Sequence, residues 1–263
     1  VGIAGRGWAG RFAPEVAALA AVANERTLIQ DICPHDRRTM GKDMPPCILG
    51  DASAPRFDFV LLGDSHARAI AGSLAERAGE LGLKGLYLGR VACPPLLGAD
   101  RQGDRTRRCA EHLDWAVERV READPATVLV HARWADATSA PRPEGERGDP
   151  VSFAVAGRRY GREANSEVLR DRLGALLDRV GSGRRIGLIA SVPVLPFDVP
   201  SALAADRQFG RSGGHRPTRA AHEARQGEAR RVLDGLVAGQ PARAVLDPAA
   251  VLCAGETCEV ARD

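Results

Sequence analysis

From residue 56 onward, short apolar runs alternate with longer amphipathic stretches. This alternation is typical of a parallel sheet covered by helices. The runs predict five strands, at Phe57–Leu62, Gly85–Ala92, Thr127–Ala132, Ile186–Val194 and Ala244–Leu246. The first is an almost unbroken apolar run, typical of a strand buried on both faces. With short right-handed crossovers they predict an α/β fold, a three-layer αβα sandwich with a five-stranded parallel sheet of flavodoxin-like order.

The stretches between these runs predict helices and loops. Apolar residues at helical spacing favour helices after the first strand and at about 106–123, 169–180 and 217–237. A segment rich in Pro, Gly and charge, 135–150, predicts a surface loop without core residues, and a polar loop is expected from the fourth strand to about residue 216. Residues 151–161 favour a small hairpin.

The chain reads as one globular domain with a lead-in. With 263 residues, 44% of them hydrophobic and 27% charged, it can bury one core. We predict that residues 1–55, with a short helix near 12–23 and an irregular segment stapled by cysteines, pack on a domain formed by 56–263. No apolar run approaches the length of a membrane span. The chain begins with Val1 rather than Met and we see no signal peptide before the fold, so it reads as part of a longer protein.

The charge and the cysteines narrow the possible settings. The net charge is +3 and the arginines are scattered among acidic residues, so we expect no nucleic-acid partner. Six cysteines fall into three neighbouring pairs whose spacing does not suit zinc, and we expect no metal. Disulfides in an oxidising compartment are favoured. Fifteen connectivities remain open, of which neighbour-to-neighbour pairing is the simplest; the cysteines are Cys33, Cys47, Cys93, Cys109, Cys253 and Cys258.

Candidate chemistry lies where the first strand meets its helix, at Gly63-Asp64-Ser65-His66. Reactive groups collect at the carboxyl edge of a parallel sheet, where helix N-termini present unpaired N–H groups. A serine there can attack an acyl carbon while its own N–H faces the developing oxyanion. The alternative is simple capping, because Asp and Ser are both good N-cap residues. On these residues alone, capping is favoured.

Four blocks change that balance: Phe59–Ala67, Val91–Leu96, Val128–Trp134, and Asp247-Pro248 followed by two cysteines. In this order they resemble the C-terminal SGNH domain of acyltransferase 3 proteins, which are membrane-bound O-acyltransferases. The resemblance implies an SGNH-hydrolase type of fold. It also implies cysteine pairs around Cys33 and Cys47, around Cys93 and Cys109, and at Cys253 and Cys258.

The resemblance also implies roles for individual residues. Ser65 is the nucleophile and Asp64 shapes the turn, while His66 is structural or faces the substrate. An oxyanion-hole N–H, supplied by glycine elsewhere in the SGNH group, falls at Ala92, with Gly89 slightly earlier in the chain. Arg133 stands where other SGNH proteins have an oxyanion-binding Asn. It binds the acyl oxygen or an acceptor, or it is a surface ion-pair residue, and the two interpretations are equally weighted.

The Asp-x-x-His block that would supply the base and its orienting carboxylate does not occur before Asp263. None of the six histidines has Asp three positions earlier, so none is assigned as base; they are His35, His66, His112, His131, His215 and His222. Truncation is the favoured explanation and natural loss the other. We therefore expect weak or no turnover from residues 1–263.

The function that the resemblance implies is O-acylation, usually O-acetylation, of a cell-surface polysaccharide or lipopolysaccharide through an acyl-Ser65 intermediate. The expected setting is a periplasmic or other extracytoplasmic domain of an integral inner- or plasma-membrane protein. It would be fused to a membrane acyltransferase domain and would act on a glycan acceptor. The domain itself would bind no cofactor, and acyl-CoA would be the donor for the full-length protein. Two alternatives stay open: an SGNH carbohydrate esterase and a non-catalytic glycan-binding domain.

Overall fold

The architecture comes from a computed structural model that describes residues 12–22, 33, 47–103, 108–140, 150–195, 197–211 and 216–260. The strands are β1 Cys47–Gly50, β2 Phe59–Gly63, β3 Lys84–Gly89, β4 Ala99–Arg101, β5 Thr127–His131, β6 Phe153–Val155, β7 Arg158–Arg159, β8 Arg185–Ile189 and β9 Arg243–Leu246. The α-helices are α1 Pro14–Val22, α2 Ser65–Glu80, α3 Cys109–Ala123, α4 Asn165–Val180, α5 Val199–Phe209, α6 Arg219–Val237 and α7 Ala249–Leu252. Two 3₁₀ turns span Trp134–Ala137 and Arg162–Ala164.

The main sheet has six strands in the order β1-β3-β2-β5-β8-β9. The five predicted strands are all present, pair in parallel and have the flavodoxin-like order. The strand count was wrong by one, because β1 adds an antiparallel edge beside β3. Its four residues are too few to show a periodic pattern, so the sequence alone did not reveal it.

Two cores cover the sheet, one on each face. On one face the side chains of α2 pack with β1, β2 and β3, and on the other α3, α4 and α6 pack over β2, β3, β5 and β8. All five residues of β2 are buried, as expected for a central strand between two helical layers. The nucleophile candidate therefore follows the most enclosed strand of the molecule.

Three loop predictions need correction. The loop from the fourth strand to residue 216 contains helix α5, capped by Asp198, whose carboxylate accepts the Ser201 N–H. The fourth strand ends at Ile189, short of Val194. The segment 135–150 holds core after all, because Ala135, Ala137, Thr138 and Ala140 are buried; residues 141–149 lie outside the described part.

The sequence also predicted a small hairpin, the start of one helix and a domain boundary. The hairpin at 151–161 is confirmed as β6 and β7, which join β4 in a small second sheet. The predicted start of the helix at residue 106 lies outside the described residues, which resume just before α3. The boundary between residues 55 and 56 stays a prediction, although β1 precedes it and belongs to the main sheet. Among the described helices, none is long and apolar enough to cross a membrane.

Candidate active site

Ser65 is presented by a tight junction between β2 and α2. Gly63 has a φ of +153°, and a Cβ there would lie 1.8 Å from the His131 carbonyl oxygen, so the junction requires glycine. Helix α2 begins at Ser65 directly after this close approach. Ser65 is exposed while Gly63 and Asp64 are buried. The fold thus places one hydroxyl at the open N-terminus of a helix.

Asp64 fixes this junction. Its carboxylate caps α2 by accepting the His66 N–H at 2.8 Å, and it accepts the Arg133 N–H at 3.1 Å. It thereby ties the end of β2 to the segment after β5. Asp64 is only 5% exposed, and burial raises its pKa although both N–H groups favour the ionised form. The predicted turn-shaping residue therefore lies at the junction itself.

Ala92 lies on a turn that follows β3. The Cys93 N–H donates to the Arg90 carbonyl at 3.0 Å, and Ala92 at the third position has a φ of +60°. This is the geometry of a type II turn, which usually takes glycine at that position. The Arg90 N–H donates to the Gly63 carbonyl at 2.9 Å, so the turn is fastened to the end of β2.

A cavity of about 100 Å³ joins these parts. It brings together four of the predicted site residues, namely Ser65, Asp64, Ala92 and Arg133, but not His66. Its lining is Asp64, Ser65, Ala92, Pro94, Arg101, Arg133, Asp136, Ala137 and Val151. The Ser65 hydroxyl therefore shares one small space with a strained turn and two arginines.

Arg133 belongs to a row of charged side chains that starts at the cavity wall. It pairs with Asp136 at 3.2 Å, and Asp136 also pairs with Arg225 of α6 at 2.8 Å. Arg225 is 6% exposed and donates to the Ala135 carbonyl as well. Of the two predicted roles of Arg133, the ion pair is present, but it lies at the cavity and not on the outer surface.

Two histidines flank the junction. His66 and His131 meet edge to face with ring centroids 6.1 Å apart. The Ile189 carbonyl lies 2.9 Å from His131 Nδ1, so this nitrogen is the donor and the other has the free lone pair. Burial lowers the pKa of both rings, and the charge of Arg133 lowers that of His66 further. No hydrogen bond between Ser65 and a histidine occurs among the described residues, and His35 and His215 lie outside them.

The same sheet edge continues into a second, larger cavity of about 350 Å³. It lies beyond Trp134, between α6 and the ends of β8 and β9. Ser191 lines it and is 3% exposed, and its hydroxyl has no hydrogen-bond partner among the described residues. The lining also includes His222, Gln226, Arg230 and Asp247. None of these residues had been predicted as part of a site.

Several residues around Ser65 were not predicted from the sequence. Arg101, Asp136 and Arg225 come from three separate segments, and no pattern in the sequence distinguishes them from other charged residues. His131 lay within one of the four blocks but was assigned no role, although its position at the end of a buried strand was a usable signal. The three disulfides join Cys33 to Cys47, Cys93 to Cys109 and Cys253 to Cys258, which confirms neighbour-to-neighbour pairing.

The flavodoxin-like sheet with an exposed serine at the end of its central strand defines an αβα domain of SGNH type. The family model described as "SGNH domain (fused to AT3 domains)" matches residues 32–263. The chain therefore belongs to this family. No curated protein matches it by sequence.

A solved structure has the same fold. The periplasmic domain of the lipopolysaccharide acetyltransferase of Salmonella ser. Paratyphi A is similar, with a TM-score of 0.57 and 15% sequence identity. The match covers 80% of this chain and 73% of that one. At this identity the likeness concerns the fold.

Proposed function

We propose that the chain is the extracytoplasmic domain of a sugar O-acyltransferase in which Ser65 carries the acyl group. The observation that carries the proposal is the exposure of Ser65 at the N-terminus of α2, in a cavity shared with the Ala92 turn and Arg133. The fusion to AT3 domains that defines the family supports acyl transfer, and the solved acetyltransferase domain supports a glycan acceptor.

The first half of the reaction forms an acyl-enzyme. Ser65 Oγ attacks the acyl carbon, its proton passes to a base, and the bond from the acyl carbon to the donor breaks. The negative oxygen of the intermediate would meet the Ser65 and Ala92 N–H groups, with the Arg133 guanidinium nearby. The helix dipole of α2 favours the same charge.

In the second half, a hydroxyl of the glycan attacks the acyl carbon, and Ser65 leaves with a proton. The acyl group therefore moves from one oxygen to another without any change of oxidation state. In the full-length protein the donor would be acyl-CoA, used on the cytoplasmic side by the fused membrane domain. If water attacks in place of the sugar, the same intermediate gives an esterase.

The test uses the full-length protein and p-nitrophenyl acetate. We expect release of p-nitrophenol and one acetyl group on the peptide that contains Ser65, detected by mass spectrometry after an acid quench. Ser65→Ala should abolish both signals. Ser73→Ala is the matched control, because Ser73 is exposed on the same helix and should leave both unchanged.

Adding acceptor polysaccharide separates the possible functions. A transferase moves the acetyl group to the sugar, and an esterase releases acetate at a rate that the sugar does not change. If Ser65→Ala and the wild type label equally, the nucleophile assignment is wrong and the glycan-binding alternative is favoured.

A further inference from the structure

Ala92 has a left-handed backbone conformation that is unusual for alanine. Within the described chain only four residues other than glycine have a positive φ, and Ala92 is one of them. An alanine in this region costs about 1 kcal/mol or more and persists only where its surroundings hold it. The turn's own hydrogen bond uses the Cys93 N–H, which leaves the Ala92 N–H outside that bond. The strained residue is thus the one that borders the Ser65 cavity.

Arg101 forms a hydrogen bond with this residue. Its Nη1 donates to the Ala92 carbonyl at 3.3 Å, across nine positions of the chain. A guanidinium has its donors in a rigid plane, so a hydrogen bond from it favours one direction of the carbonyl that accepts it. The direction of a carbonyl depends on the ψ of its own residue, and a type II turn requires a narrow ψ at its third position. Arg101 therefore favours the left-handed state of Ala92.

Arg101 lies on a strand that is held in place by its neighbours. Arg101 is the last residue of β4 and pairs with Phe153 of β6, which is 1% exposed. The neighbouring Asp100 accepts the Ala110 N–H of α3 at 3.0 Å. The Cys93–Cys109 disulfide then fastens the turn to the same helix. The turn is thus held at two neighbouring residues. The small sheet holds Ala92 through Arg101, and the start of α3 holds Cys93 through the disulfide.

We propose that Arg101 is a positioning residue of the acyl-transfer site, which holds Ala92 in the conformation that presents its N–H to the oxyanion formed at Ser65. The inference rests on the proposed function, and it assigns a role to a residue outside the four sequence blocks. Arg101 acts through Ala92 and takes no part in bond making.

The experiment compares Arg101→Gln, Arg101→Lys and Arg159→Gln in the full-length protein. Arg159 is the matched control, because it lies in the same small sheet, on β7, with its side chain exposed. With p-nitrophenyl acetate, Arg101→Gln should lower kcat about tenfold or more with little change in KM, because the oxyanion forms only after substrate binds. Arg101→Lys should retain part of the rate, and Arg159→Gln should match the wild type.

A second readout does not depend on catalysis. In ¹⁵N-labelled protein, Arg101→Gln should shift the Ala92 amide resonance, whereas Arg159→Gln should leave it in place. Adding Ala92→Gly to Arg101→Gln should restore part of kcat, because glycine enters the left-handed region without steric cost. An unmoved Ala92 resonance, or equal kcat values for Arg101→Gln and Arg159→Gln, would overturn the inference. Absence of acetylation at Ser65 in the wild type contradicts the proposed function instead, and the resonance still decides whether Arg101 holds Ala92.

Discussion

The two halves of the sheet's carboxyl edge differ in how completely their polar groups are hydrogen-bonded and in how deeply their residues are buried. In the nucleophile half, named for the proposed role of Ser65 and formed by the ends of β2, β3 and β5, Asp64 accepts two N–H groups and all of β2 is buried. In the distal half, formed by the ends of β8 and β9, Leu246 is 45% exposed and the buried Ser191 hydroxyl has no partner among the described residues. We infer that rigidity is concentrated around Ser65, where the proposed acyl transfer needs preorganised donors.

Glycine substitution should show the largest difference between the halves. In Gly63→Ala the new Cβ meets backbone, the His131 carbonyl oxygen at 1.8 Å, which cannot yield. We expect a loss of about 4 kcal/mol or more in the free energy of unfolding, measured by urea denaturation. In Gly187→Ala the nearest atoms are the ends of two leucine side chains, at 2.8 and 3.1 Å. One of them is the half-exposed Leu246, so we expect a cost of about 1 kcal/mol. Equal costs would refute the difference in rigidity.

A second comparison uses two arginines of one helix, α6. Arg225 is buried in the nucleophile half, where it binds Asp136 and the Ala135 carbonyl. Arg225→Met should cost about 3 kcal/mol, because it leaves a partly buried carboxylate with less compensation. Arg230 pairs with Asp234 and Asp247 near the distal half, with a side chain that is 38% exposed. Arg230→Met should cost under about 1 kcal/mol. The same denaturation experiment checks both, and the idea is wrong if the order reverses.

The sequence predicted the parts of this picture that depend on local patterns. The five parallel strands follow from apolar runs, and the Ser65 junction follows from the position of the Gly63-Asp64-Ser65 triplet at a strand end. The spacing of the cysteines made neighbour-to-neighbour disulfides the simplest choice, and the family resemblance implied the three pairs. Each of these signals lies within one short stretch of chain.

The sequence did not reveal features that depend on contacts between distant segments. The link from Asp64 to Arg133 spans 69 positions, and the link from Asp136 to Arg225 spans 89. No periodicity marks either pair, and an arginine that becomes buried has the same letter as one that stays exposed. Helix α5 was missed because its flanking segments are rich in Pro and polar residues, although Asp198 followed by Pro200 was a usable signal for a helix start.

The pH dependence of stability should also separate the halves. Burial lowers the pKa of His131 in the folded state, so the unfolded chain binds a proton first as the pH falls below about 6.5. Stability should therefore decrease from pH 7 to pH 5, by up to about 1.4 kcal/mol per pH unit for this one histidine. His131→Gln should reduce that slope. His222→Gln in the distal half should reduce it less, because His222 is less buried. Urea denaturation at both pH values measures the slopes, and the expectation fails if His131→Gln leaves the slope unchanged.

The smallest effect is expected at Ser191. A buried hydroxyl without a partner costs free energy in the folded state, so removing it returns about what the lost packing takes away. Ser191→Ala should therefore change the free energy of unfolding by less than about 0.5 kcal/mol. Ser139→Ala is the matched substitution near the nucleophile half, because the Ser139 hydroxyl donates to Glu228 at 2.6 Å, and it should cost about 1.5 kcal/mol or more. If Ser191→Ala costs as much as Ser139→Ala, the Ser191 hydroxyl is satisfied in solution, and the contrast between the two halves is smaller than the described contacts indicate.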